Sequence, residues 1–114
     1  MDTKLTLRLA RGQPAQQATI DAWLRERHAA GESGPLAVIA EGAFFELKVP
    51  VDVTLERLAA GCVCCVGLVP LKVTLTRLLR RHPAAVLLLA TDADHSERLR
   101  ALIASGELGV REAA

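Results

Sequence analysis

Three cysteines stand within a stretch of four residues, and they are the strongest indication of chemistry in this chain. Cys62, Cys64 and Cys65 follow Gly61 in the string Gly-Cys-Val-Cys-Cys, and the chain has no other cysteine. Thiolates are soft ligands that suit Zn²⁺ or Cu⁺ better than Mg²⁺ or Ca²⁺. A disulfide framework would need an even number of cysteines at longer spacing, and a hydrophobic core would not concentrate them. The spacing therefore predicts a metal site, with Zn²⁺ favoured over Cu⁺.

The spacing of the cysteines also indicates how they would share one ion. Cys62 and Cys64 are separated by one residue and can reach a common ion from a bent loop, which the glycines on both sides permit. Cys65 is the weaker ligand because adjacent side chains point apart. Three thiolates around Zn²⁺ leave a fourth position for water, for a nearby group such as Glu41, or for a ligand from a second subunit.

Composition limits the classes of protein to which the chain could belong. The length of 114 residues predicts one domain. The 14 basic and 13 acidic residues nearly balance, so the chain has no overall electrostatic field that would attract nucleic acid or an anionic membrane. Its longest apolar run, 84–90, is far shorter than the roughly 20 residues of a spanning helix. The first residues carry charges and do not resemble a signal peptide. We therefore expect a cytoplasmic protein with free thiols and with no nucleic-acid or membrane partner.

The distribution of apolar residues predicts an α/β fold with three layers and a mostly parallel sheet. Apolar runs at 36–40 and 86–90 are typical of strands covered on both faces by helices, so they should form the centre of the sheet. Leu5, Leu7 and Leu9 alternate with polar residues, which predicts a first strand with one face open to water or to a partner.

Three helices and some shorter elements complete the predicted fold. Apolar residues at helical spacing predict a first helix over 16–29, a second from Leu71 towards Pro83, and a third that starts with Asp94 as its cap and runs to Gly106. The remaining segments are predicted to form an edge strand over 44–49, a turn or short helix over 54–58, and a short strand over 108–110.

A resemblance to a known family begins in the cysteine segment. Without a gap, residues 61–79 resemble the segment around the GCxCC motif of the CobW-type (CobW/HypB/UreG) metallochaperone GTPases. Upstream, Ala37-Val-Ile-Ala-Glu is similar to the family's strand that ends in Asn-Glu. Downstream, Val86-Leu-Leu-Leu-Ala-Thr-Asp-Ala is similar to the strand that ends in Glu-Ser/Thr-Thr-Gly. The resemblance implies a truncated, P-loop-NTPase-like fold, in which residues 1–114 form a single CobW-like nucleotide-binding half.

The same comparison implies that GTP binding and hydrolysis are lost. A Walker A loop is Gly-x-x-x-x-Gly-Lys-Ser/Thr, whereas the corresponding frame here, 12–19, has Gln17 for the second glycine and Ala18 for the lysine. Ala90 stands where the family has the glutamate at the end of the strand. The chain contains no asparagine, so the Asn-Lys-x-Asp motif with which the family recognises guanine is absent. The family's carboxy-terminal domain and histidine-rich tract have no counterpart. We therefore expect no GTP cofactor and no enzymatic activity.

These observations favour a non-catalytic metal-binding protein that handles or relays zinc through Cys62, Cys64 and Cys65. Its partners would be the metal ion and a metal-receiving protein. Two alternatives stay open: a thiol redox protein whose cysteines cycle with a disulfide, or an interaction module with no metal site, for example a homodimer formed through the first strand.

Other polar residues receive structural interpretations. The three histidines, His28, His82 and His95, are interpreted as solvated or capping residues. The two aspartates near the start of the last helix, Asp92 and Asp94, are interpreted as caps. The arginine cluster of Arg77, Arg80 and Arg81 is interpreted as the solvent-exposed face of its helix.

Overall fold

A five-stranded parallel sheet forms the middle of the molecule, in a computed structural model that describes residues 3–32, 34–58 and 69–113. The strands stand in the order β3-β2-β4-β1-β5, and every paired neighbour is parallel. The predicted α/β class with a parallel sheet between helical layers is therefore confirmed. In chain order the elements are β1 (Lys4–Leu9), α1 (Gln13–Ala29), β2 (Leu36–Glu41), β3 (Val53–Leu58), α2 (Val69–Leu79), β4 (Ala85–Ala90), α3 (Ala93–Ala104) and β5 (Arg111–Glu112).

The two continuous apolar runs form adjacent strands near the centre of the sheet, as predicted. All six residues of β4 are buried, and so are five of the six residues of β2. The two strands align from Leu36 with Ala85 to Ala40 with Leu89. Burial on both faces explains why neither strand alternates between apolar and polar residues.

Helices cover the two faces of the sheet and divide the core into two clusters. On one face, Leu5, Ile39 and Leu88 pack with apolar residues of α2 and α3. On the other face, Ile20 and Trp23 of α1 pack on the alternate strand residues. In the strand order β3-β2-β4-β1-β5, the connection from β1 to β2 runs towards the β3 edge of the sheet. The connections from β3 to β4 and from β4 to β5 run the other way, towards the β5 edge. Right-handed crossovers therefore place α1 opposite α2 and α3.

The first strand lies inside the sheet. β1 pairs with β4 along its whole length and with β5 at Lys4 and Leu5. Leu5 and Leu7 are buried as predicted, whereas Leu9 at the end of the strand is 56% exposed. The homodimer that was suggested through β1 would therefore have to use a strand that already has a neighbour on each side.

The predictions for the middle of the chain are wrong. Residues 44–49, predicted as an edge strand, are irregular, and Phe44 there is 83% exposed. The edge strand is instead β3, which covers the predicted turn or short helix at 54–58. Leu55 and Leu58 have a spacing that also fits a helix. The β-branched Val53 and Thr54 fit a strand, and pairing with β2 decides between the two.

Several element boundaries differ from the predictions, and helix α2 begins at Val69 rather than at Leu71. Helix α1 begins at Gln13 rather than at residue 16, with Pro14 in its first turn, where the missing N–H is not needed. Helix α3 begins at Ala93 because Asp92, not Asp94, is its cap. The last strand is β5, at 111–112 rather than 108–110. None of the helices within the described residues has both the length and the apolar character needed to cross a bilayer.

Gly34 allows the chain before β2 to approach the chain before β4. A Cβ atom on Gly34 would lie 2.6 Å from the Cβ of Ala84. We expect Gly34→Ala to lower the free energy of unfolding by about 1–3 kcal/mol, because neither backbone can give way easily. The double variant Gly34→Ala/Ala84→Gly should recover most of this loss in urea unfolding. A single variant as stable as the wild type would contradict this packing.

Candidate functional site

The cysteine segment connects to the sheet at its carboxyl edge. Cys62, Cys64 and Cys65 lie outside the described residues, so the predicted metal site stays a prediction. The last described residue before them is Leu58, which ends β3 and aligns with Glu41 at the end of β2. The N–H of Gly42 donates to the Leu58 carbonyl at 2.8 Å. The segment that carries the cysteines therefore leaves the sheet directly beside Glu41.

Glu41 is a fully buried carboxyl group surrounded by hydrogen-bond donors. Its Oε1 accepts from the backbone N–H of Thr91 at 2.9 Å and from the Thr91 hydroxyl at 2.6 Å. The Nδ1 atom of His95 lies 3.1 Å from Oε2. A carboxylate only accepts hydrogen bonds, so in that form of Glu41 the imidazole donates from Nδ1. The lone pair of the neutral ring is then on Nε2.

The order of the strands explains why these three residues meet. β2 and β4 are neighbours, and the carboxyl ends of parallel strands lie at the same edge of a sheet. Glu41 ends β2, and Thr91 directly follows β4. Asp92 then caps α3 by accepting from the N–H groups of Asp94 at 2.8 Å and His95 at 3.3 Å. The cap places His95 in the first turn of α3, where its ring reaches Glu41.

Two further side chains tie the turn after β1 to the same site. Gln16 is fully buried, and its Nε2 donates to the carbonyls of Ala10 at 3.2 Å and Glu41 at 3.0 Å. Its Oε1 has no hydrogen-bond partner among the described residues. Arg11 donates from Nε and Nη2 to the Thr91 carbonyl, at 3.0 Å and 2.9 Å. The chain segments that follow β1, β2 and β4 are thus connected to one another by side-chain hydrogen bonds.

The capping carboxylate of Asp92 is held in its charged form. Its pKa lies below the ordinary value because the backbone N–H groups of His95 and Asp94 donate to it. Burial opposes this lowering of the pKa, and the nearby His95 and Arg11 side chains add smaller electrostatic contributions that lower it further. An aspartate at this position also satisfies N–H groups that have no partner within the helix.

Removal of the Asp92 cap is expected to weaken α3. Asp92→Ala should lower the melting temperature by a few degrees, whereas Asp94→Ala, which removes an exposed carboxylate outside the cap, should change it less. Because the folded pKa is lowered, the contribution of Asp92 is fully present above its ordinary pKa of 3.8 and is lost as the pH falls through the folded value. Thermal unfolding of both variants at neutral pH and near pH 3 would test this. Equal melting temperatures for Asp92→Ala and the wild type would contradict it.

The sequence predicted Glu41 as a ligand of the predicted metal site, and it gave His95 no role in that site. Glu41 was suggested as a fourth ligand, yet both of its oxygens already contact Thr91 or His95. His95 was interpreted as a solvated or capping residue, yet its side chain is only 16% exposed and faces Glu41. Glu41 directly follows the apolar run 36–40, and this position was the signal available in the sequence, whereas His95 lies five residues beyond the run 86–90, inside the next helix.

Of the other structural interpretations, the one of Asp94 as a cap is wrong, because its side chain does not accept from the helix N–H groups, while the rest agree with the structure. Arg77, Arg80 and Arg81 lie on the outer side of α2 and just beyond it, and Arg77 pairs with Glu56 at 3.0 Å. His82 is exposed, and His28 lies in the last turn of α1. The interpretation of Asp92 as a cap is confirmed.

The segment aligned with the Walker A frame is helical. Gly12, with a φ of 88°, directly precedes α1, and residues 13–19 all lie within the helix. The N–H of Gln16 donates to the Gly12 carbonyl at 3.0 Å, so it is already used within the helix. A phosphate-binding loop instead directs successive N–H groups at one centre.

Within 3–32, 34–58 and 69–113, no three histidine, cysteine, aspartate or glutamate side chains converge as a complete metal site. In comparisons with protein-family models, with curated proteins and with solved structures, the chain matches none.

Proposed function

We propose that this chain is a non-catalytic, CobW-like metal-binding protein that holds or relays Zn²⁺ through Cys62, Cys64 and Cys65. The observation that carries the proposal is the attachment of the cysteine segment beside the buried Glu41–His95 pair, at the carboxyl edge of the sheet. Parallel α/β folds bind their ligands outside this edge. The proposal includes a cytoplasmic location and a second protein that receives the metal.

Chain length keeps the thiols close to this edge. Cys62 follows Leu58 by four residues, and Cys65 precedes Val69, the first residue of α2, by four. Four residues of extended chain span at most about 14 Å. Both ends of the cysteine string are therefore tethered near elements that the structure describes. A site that joins these thiols to a group at the edge of the sheet is within reach.

His95 is a second candidate for a fourth ligand, beside Glu41. The Glu41 oxygens accept from Thr91 and contact His95, so Glu41 would have to give up hydrogen bonds in order to bind an ion. In metal sites a carboxylate commonly orients a ligating histidine by accepting from its other ring nitrogen. The Nδ1 contact with Glu41 supports that arrangement, in which Nε2 would bind the ion. Three thiolates and one imidazole form a ligand set that Zn²⁺ favours.

The region that resembles a Walker A loop supports a role without GTP. Residues 13–19 belong to α1, and Gln17 and Ala18 stand where the family has glycine and lysine. The frame keeps its first glycine, Gly12, but it has neither the lysine that neutralises the phosphates nor the second glycine of the motif. Metal binding through the cysteines does not require either of them.

A competition titration tests the proposal. The fully reduced protein is titrated with Zn²⁺ against a chelating indicator, beside a variant in which all three cysteines are serine. We expect the wild type to take up one tightly bound ion per chain and the variant to take up none. Equal uptake by both proteins, or no tight uptake by the wild type, would rule the proposal out. Formation of a disulfide in the zinc-loaded protein under mild oxidation would favour the redox alternative.

A further inference from the structure

Two cations lie side by side where β1 and β5 begin. Lys4 aligns with Arg111 in the register of these parallel strands. Leu5 and Leu7 belong to the core cluster that packs with α2 and α3, so Lys4 and its strand neighbour Arg111 face the side of α1. Like charges directly opposite each other on neighbouring strands are destabilising. An anion bound between them would remove this repulsion.

A third cation approaches from the end of α1. The Arg27 side chain is 20% exposed, and its Nη1 donates to Glu32 at 3.2 Å, which holds the guanidinium in place. Arg27, Lys4 and Arg111 line one open cavity of about 500 Å³, together with Glu112 and Ala113. This volume is in the range of small-ligand sites. The cavity lies at the amino edge of the sheet, opposite the edge where the cysteine segment is attached.

Each of the three carboxylates nearby already has an ion-pair partner, and for Glu32 that partner is Arg27 itself. Glu26 pairs with Arg8 at 3.4 Å, Glu32 pairs with Arg27, and Glu112 accepts from the Arg100 Nε at 2.9 Å. Glu112 aligns with Leu5, so its side chain is directed to the other face of the sheet, towards α3. Within the part of the chain that the structure describes, Lys4 and Arg111 form no ion pair. Among the residues that the structure describes, Lys4 and Arg111 therefore leave the cavity with an excess of positive charge.

We propose that this cavity binds a small anion with at least two negative charges, of the phosphate or polycarboxylate class. A guanidinium offers a planar pair of donors to either kind of oxygen anion, and an ammonium adds a point charge. A doubly charged anion can contact the Lys4–Arg111 pair and Arg27 together. The inference does not depend on zinc binding, because it uses a different edge of the sheet.

The test uses inorganic pyrophosphate and citrate as probes. The intact chain is titrated with each at constant ionic strength, by calorimetry and by thermal unfolding. We expect saturable binding of at least one probe, weakened about tenfold by Lys4→Gln and by Arg111→Gln, since each removes a charge-assisted contact. Arg80→Gln removes a cation elsewhere and should leave the affinity unchanged. Preference for pyrophosphate would assign a phosphate ligand, and preference for citrate a polycarboxylate.

The stability of the unliganded variants separates binding from a structural role. Removal of one of two like charges should leave Lys4→Gln at least as stable as the wild type without probe, while its gain in melting temperature with probe is reduced. The proposal is overturned if neither probe binds saturably or if both variants bind as the wild type does. An equal loss of affinity in Arg80→Gln would also overturn it, because the binding would then reflect overall charge alone.

Discussion

Cys64→Ser is expected to lower the affinity of the reduced protein for Zn²⁺ by about 100-fold or more, and Cys62→Ser by a similar factor. Structural zinc sites bind with about 10–16 kcal/mol shared among four ligands, so the loss of one thiolate removes about 3 kcal/mol. Cys65→Ser should have a smaller effect, because Cys64 and Cys65 are adjacent in sequence and neighbouring side chains in a chain diverge, which makes Cys65 the weakest of the three predicted ligands. The measurement is competition with a chelating indicator under reducing conditions.

The control for the cysteine series lies at the same edge of the sheet. Asp94 is exposed in the first turn of α3, and its side chain takes no part in the cap. Asp94→Asn should therefore bind Zn²⁺ as tightly as the wild type, which would show that a lost charge nearby is not sufficient to weaken binding. Unchanged zinc affinity in both Cys62→Ser and Cys64→Ser would contradict ligation by these thiols.

Glu41→Ala is expected to lower the free energy of unfolding by about 3 kcal/mol or more. Glu41 is fully buried, and its removal leaves the N–H and hydroxyl of Thr91 and the ring of His95 without their acceptor. Buried donors that lose their partner each cost about 1–3 kcal/mol, and the vacated volume adds to the loss. Glu41→Gln should cost less, since an amide oxygen can still accept from Thr91. Urea unfolding at neutral pH gives the comparison.

Glu46 provides the matched control for Glu41. It lies in the segment between β2 and β3, and its side chain forms no ion pair within the described residues. Glu46→Gln should change the free energy of unfolding by no more than about 0.5 kcal/mol. If Glu41→Ala proves as mild as Glu46→Gln, the hydrogen-bonded arrangement around Glu41 is not the one described.

The centre of the fold could be predicted well because burial alone determines it. The runs 36–40 and 86–90 are apolar throughout and short, which is typical of strands covered on both faces, and both strands are confirmed. Helix α1 was found from Ile20 and Trp23, both of which are buried. β3 was missed because a strand at the edge of a sheet is only partly buried, and its pattern also fits a short helix.

The candidate sites depend on features that local patterns do not contain. Glu41 and His95 meet only because β2 and β4 are neighbours, and this strand order comes from the packing of the whole sheet. Lys4 and Arg111 stand near opposite ends of the chain and meet only because β5 pairs with β1. The cysteine string is different, because its three potential ligands are neighbours in the chain itself. Local sequence is therefore sufficient to predict that site, whereas the other two require the strand order.

Cobalt substitution tests the proposed zinc site most directly. Co²⁺ added to the reduced protein reports its own ligands, because thiolate ligation produces charge-transfer absorption in the near ultraviolet and a tetrahedral site produces intense visible bands. We predict both features at one ion per chain, with loss of both when Zn²⁺ is added and a weaker charge-transfer band in Cys64→Ser. A spectrum identical to that of Co²⁺ in buffer would contradict a metal site built from Cys62, Cys64 and Cys65.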